Sequence, residues 1–177
     1  MTSLQFLAIA LMSAVMPMMG AEAYLVPGVG VKLPASIGQF QRSQPKAVQE
    51  GSAGGGVMVA YLAPAADATF LAAPHAGQNA SKTAVQLVEE SLLAILALEE
   101  RGVYQNVQVQ VGEEPPGSPW ASAAFATREQ GKLTLSYIFC RIKGGQVVKI
   151  LVNTSDTKDK SITPFVSELK KLVDTAK

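Results

Sequence analysis

Hydrophobic residues are arranged along this chain in three ways: one solid block, several alternating runs, and two stretches with helical spacing. The block runs from Leu4 to Met19 and gives way to Gly20-Ala21-Glu22-Ala23, a small-x-small ending of the kind signal peptidase accepts. It predicts a signal peptide over residues 1–23, with Ala21 and Ala23 as cleavage determinants and Tyr24 as the first residue of the mature chain. Met1-Thr2-Ser3 precedes the block, so the α-amino group is the only positive charge there. An uncleaved anchor is the alternative reading. Against it, the block is shorter than the ~20 residues of a spanning helix, and Pro17 lies near its end. With no cysteine near the cleavage position to be acylated, a lipoprotein is disfavoured. The expected location is periplasmic or secreted, without a stable membrane anchor after cleavage.

Beyond the block, the pattern turns to short runs with strand character. Leu33 to Arg42 reads as a turn feeding a short strand, and Val57–Leu62 and Ala68–Ala72 as two more strands joined by a turn at Pro64-Ala65-Ala66-Asp67. Tyr104 to Val111 alternates with period two, so Val107, Val109 and Val111 share one face and Asn106, Gln108 and Gln110 the other. Three further strands are expected over Trp120–Thr127, Leu133–Ile142 and Gln146–Val152, with hairpin turns at Glu129–Lys132 and Lys143–Gln146.

Helical spacing marks Ser81 to Arg101, with Ser81 or Thr83 as N-cap and Gly102 in the C′ position. Val85, Val88, Leu92, Ile95 and Leu96 form a stripe suited to packing on a sheet. Leu87, Leu93 and Leu98 exceed that stripe, which makes Leu87 and Leu93 candidate partner contacts, with coverage by Val26 to Leu33 as the alternative. A second helix closes the chain, with Thr163 as N-cap, Pro164 at the first position, and Phe165, Leu169, Leu172, Val173 and Ala176 on one face. The order is β-β-β-α-β-β-β-β-α, which predicts one α+β domain over residues 24–177 with a mainly antiparallel sheet. Alternating βα units are missing, which argues against a doubly wound nucleotide-binding fold.

Composition narrows the chemistry. Fifteen basic residues against 14 acidic ones leave no net field to attract nucleic acid. The single cysteine, Cys140, excludes an internal disulfide, and its strand-like surroundings predict a buried structural thiol. His75 is the only histidine and lies in Pro74-His75-Ala76-Gly77, a loop without a flanking acid, so a multi-histidine metal site is impossible and a solvated role is expected. Gly54-Gly55-Gly56 lacks the Lys-Ser/Thr of a phosphate-binding loop and is followed by a strand, so a flexible hairpin loop is expected. No catalytic, cofactor-binding or metal-ligating residue is assigned, and no cofactor is expected.

The element order resembles that of the PsbP-like superfamily of α/β/α sandwiches, across most of residues 24–177. Leu33-Pro34-Ala35-Ser36-Ile37-Gly38-Gln39-Phe40, followed by Gly56-Val57-Met58-Val59-Ala60-Tyr61, is also similar to the openings of small exported bacterial proteins of unknown function. The resemblance implies a binding or assembly accessory rather than an enzyme. Asn79-Ala80-Ser81 and Asn153-Thr154-Ser155 are glycosylation sequons in a eukaryotic secretory route.

The function expected is therefore a soluble exported accessory or binding protein that acts through a surface on an unknown protein or small-molecule partner. Two alternatives stay open. One is a carbohydrate-active hydrolase using Glu113 and Glu114, which lie in a Pro-rich loop before Trp120. The other is a structural homo-oligomer, suggested by the apolar residues around the first helix.

Overall fold

A computed structural model of the protein describes residues 22–49, 55–129 and 131–177. The fold is α+β, a mostly antiparallel sheet with two helices. Its elements are β1 (Tyr24–Leu25), β2 (Lys32–Leu33), β3 (Ser36–Ile37), β4 (Phe40–Arg42), β5 (Lys46–Gln49), β6 (Gly55–Leu62), β7 (Ala66–Pro74), α1 (Ala84–Glu100), β8 (Gln105–Val111), β9 (Trp120–Glu129), β10 (Lys132–Lys143), β11 (Gln146–Thr154) and α2 (Ile162–Thr175). The main sheet runs β3-β4-β6-β7-β11-β10-β9-β8, with β5 following β4 along the same side of β6. β1 and β2 form a separate antiparallel pair.

Where three strands were expected before the first helix, the described chain has seven segments, several only two or three residues long. The predicted signal peptide falls almost wholly outside the described residues, as do Ala21 and Gly54 of the glycine-rich loop, whereas Gly55 and Gly56, expected in a loop, open β6 and pair with β5. Among the described residues, pairing begins at Tyr24, opposite Leu33.

Local chemistry explains the helix ends. Thr83 caps α1 with a capping box: its hydroxyl accepts from the Gln86 N–H (3.3 Å), and the Gln86 side chain accepts from the Thr83 N–H (2.8 Å). Gly102, at φ 72°, ends α1 in the left-handed conformation that glycine adopts without steric cost. The second helix starts earlier than predicted. Asp159 accepts from both the N–H (2.8 Å) and the hydroxyl (2.6 Å) of Ser161, which fixes Ser161 as N-cap and moves Thr163 and Pro164 inside the first turn.

The helices lie on opposite faces of the sheet. On β11, Val148, Ile150 and Val152 join the core that contains Phe165, Leu169 and Val173 of α2, whereas Val147 joins the core that contains Leu87, Leu92 and Ile95 of α1. The α2 core spans β4, β6, β7 and β11, and the apolar leader of the described chain, residues 26–33, supplies Val26, Val31 and Leu33 to it. The α1 core instead takes Ala121, Ala123 and Phe125 of β9 and Ile138 and Cys140 of β10. Each helix therefore covers one end of the sheet on one face.

The rotation of α1 differs from the expected one. Val85, placed in the packed stripe, is 54% exposed, while Leu87, read as surplus, is buried at 2%. The packed arc centres on Leu87, Ser91, Ile95 and Leu98, with Leu92 on one flank and Ala94 on the other. Leu93 points outward at 64% exposure. Leader coverage of Leu93 is also overturned, because the leader packs in the core on the other face.

Candidate binding surface

A sheet with one helix at each end, on opposite faces, leaves two half-faces bare among the described residues. One lies over β8, β9 and β10 on the α2 side. Register and alternation place Leu133, Leu135, Tyr137 and Phe139 of β10 on that side, Tyr137 and Phe139 packing at its margin against the α2 core, beside Ser122, Ala124 and Ala126 of β9 and Gln108 and Gln110 of β8. The β10 and β9 side chains are half-buried and the two glutamines exposed. This surface was not foreseen from sequence, where only the alternation itself was legible.

A charged border separates that surface from α2. Lys170 sits with its ammonium 2.9 Å from both Glu114 carboxylate oxygens, 4.8 Å from the centre of the Phe139 ring and 5.3 Å from that of Trp120. One turn along α2, Asp174 accepts from the Trp120 indole N–H (3.0 Å) and pairs with Arg141. Lys143 donates to the carbonyls of Val173, Asp174 (3.2 Å) and Ala176 (2.7 Å), where the C-terminal end of a helix concentrates negative potential. Burial lowers the pKa of Arg141 and, with the neighbouring Arg141 charge, that of Lys143. These groups are spent on one another: they fasten α2 to β9 and β10 and fix where the bare face begins.

The loop carboxylates do not act as a pair. Glu113 is exposed, whereas Glu114 is turned to Lys170 with its side chain only 16% exposed. Cys140 is fully buried on the α1 side, and burial pushes its thiol up to about 11, so the nucleophilic thiolate is suppressed. His75 is half-buried, and its Nε2 lies 2.9 Å from the Lys82 carbonyl, a tether between β7 and the approach to α1 that the loop reading missed.

The second bare half-face lies over β6 and β7 on the α1 side, and a polar row crossing β10, β11 and β7 reaches its border. Ser136 donates to Asn153 Oδ1 (2.8 Å), and Asn153 Nδ2 donates to Asp67 (2.9 Å). Burial raises the Asp67 carboxyl above its usual range, and the bond from Asn153 opposes that shift. The amide of the Asn153 sequon is thus engaged on both sides. An open cleft of about 350 Å³ near Gln39, Arg42 and Leu62 offers little chemistry. Its one cation, Arg42, is buried and donates to the carbonyls of Leu33 and Glu22 (2.7 Å). Among the described residues no group of three or more potential metal ligands occurs. No helix there is long and apolar enough to cross a membrane.

No family model matches the chain, and no curated protein matches it. Among solved structures it is similar to the apo form of the immunity protein TplEi of T6SS from Pseudomonas aeruginosa, at 12% identity and a TM-score of 0.41. The match covers 84% of this chain and 48% of the other, so this chain spans about half the length of that protein.

Proposed function

We propose that the protein is an exported accessory that binds a partner through the bare face of β8, β9 and β10 and performs no bond chemistry there. The observation that carries this reading is a half-buried aromatic and aliphatic sheet face, Leu135, Tyr137 and Phe139 with Ala124 and Ala126, bordered by charged groups already neutralised by one another. Export is supported by the Leu4–Met19 block and by pairing that, among the described residues, starts at Tyr24, so that cleavage after Ala23 leaves β1 whole. A helix on each face of an antiparallel sheet also agrees with the layering that the PsbP-like resemblance implies, and kinship with that superfamily is part of the proposal.

Affinity capture with the wild-type protein and a Leu135→Asp, Tyr137→Asp variant tests the reading. The variant retains the far-ultraviolet circular dichroism of the wild type and loses the captured partner. Retention of every wild-type partner by a folded variant overturns the assignment of this face. N-terminal sequencing of the exported protein should begin at Tyr24.

A further inference from the structure

The sheet ends on one side at β8, and the inward hydrogen bonds of that strand define what it offers outward. Gly112 N–H donates to the Ser122 carbonyl (2.9 Å), and the register continues Val111 opposite Ala123, Gln110 opposite Ala124 and Val109 opposite Phe125. Antiparallel ladders alternate, so Gly112, Gln110 and Gln108 bond inward to β9 while Val109 and Val111 turn their N–H and C=O groups away from it. Among the described residues β8 pairs with β9 alone.

The start of β8 is protected and its end is not. A register shift lies between Gln105 and Gln108, Asn106 adopts φ 53°, and the Val107 N–H is taken by Glu99 Oε1 at 2.8 Å. A bulge of this kind discourages edge pairing. From Gln108 to Val111 no such device exists, and the whole stretch from Gly102 to Gly112 carries no ionisable side chain except Tyr104. Val109 is 44% exposed and Val111 68%. Beside them stands one flank of α1: at about 3.6 residues per turn, exposed Val85 and half-buried Leu96 share a stripe with Glu99, which reaches β8.

We propose that this edge pairs with a second copy of the same chain about a two-fold axis at Gln110. In that register Val109 of each copy lies opposite Val111 of the other, and the two outward-facing residues of each copy satisfy one another in four backbone hydrogen bonds. Valine meets valine on the α1 side, where the Val85 and Leu96 flanks also approach, and glutamine meets glutamine on the bare side. A second copy is the occupant favoured by this chemistry, because the paired stretch from Gln108 to Gly112 is self-complementary and carries no charge, so the residues that pair meet no like-charge repulsion. A short pairing of this size makes a weak or transient dimer. It would join the bare faces of two copies into one surface, but it rests on the edge geometry and not on the binding role proposed above.

Sedimentation equilibrium of the purified protein up to about 1 mM, the range in which a small interface must show itself, should find reversible dimers. Val111→Pro removes an outward N–H and leaves the bonds to β9 in place, and Val109→Lys puts a cation beside its symmetry mate. Each should weaken association about tenfold or more without loss of the monomer's circular dichroism. Register is tested by cysteine crosslinking. Gln110→Cys should oxidise to a disulfide-linked dimer, because residues opposite at a non-hydrogen-bonded position approach within disulfide reach. Gln108→Cys, on the same face but opposite Gly112 of the second copy, should not, and the buried Cys140 provides the background control. A wild-type protein that stays monomeric throughout the range overturns the proposal, as does dimerisation indifferent to both edge substitutions. Crosslinking at Gln108 but not at Gln110 refutes the register.

Discussion

The two edges of the sheet are built on opposite plans. At one end the margin is made of β3, β4 and β5, segments of two, three and four residues, broken at Ser43-Gln44-Pro45 and carrying Lys46. The backbone there is further occupied, since Arg42 N–H donates to Ala35 and Ser43 N–H to Ala60. Short strands, a proline and a lysine are the means by which natural sheets avoid pairing with other chains. At the other end β8 offers valines and glutamines with a bulge only at its start. The closed end also holds the densest aromatic packing, with Phe40 and Phe165 stacked at 3.9 Å and Tyr61 edge-on to Phe165 at 5.4 Å. The aromatic packing thus lies at the blunted edge, and the edge proposed to associate lies at the other end of the sheet.

Substitutions that separate these two roles test the contrast most sharply. Phe165→Ala should have the largest effect, a loss of about 3–5 kcal/mol by chemical denaturation, because it opens a cavity between Phe40 and Tyr61. A loss below about 1 kcal/mol, the size of an ordinary point substitution, would mean that the aromatic packing at the closed end contributes little to stability. Arg42→Ala should cost about 2–3 kcal/mol, since the Leu33 carbonyl would lose a charged donor in a buried setting. Its effect should appear as well in faster hydrogen exchange of the leader, and unchanged exchange there would contradict the tether. Leu93→Glu should shift stability by no more than about 0.5 kcal/mol, as for an exposed surface site. A large destabilisation would show that something covers Leu93 in solution.

Much of this arrangement was legible in the sequence, and the exceptions share a cause. Alternation at Gln108–Val111, the hairpin glycines Gly144 and Gly145, both at positive φ, and the glycine after α1 are local signals, and each marks a real element. The rotation of α1 was not legible, because apolar residues on most sides leave its packed arc to be chosen by the sheet. β1 and β2 were missed as a pair since two-residue strands carry no period. The Lys170 to Glu114 contact joins residues 56 apart, and Trp120 to Asp174 joins residues 54 apart. Such contacts exist only once the sheet has brought the two ends together.

The leader adds a temporal consequence. Val26, Val31 and Leu33 lie in the same core as Leu169 and Val173, and the Lys177 carbonyl stands so close to Gly30 that a Cβ there would sit 2.7 Å from it. The first described strands are thus roofed by α2, which follows all the described strands in sequence. While the chain is being synthesised, α1 and the strands beneath it can associate through nearer neighbours, but the closed end must wait for α2. Until α2 has been made, the N-terminal strands lack the helix that covers them, so their packing is completed only by the last of the described elements.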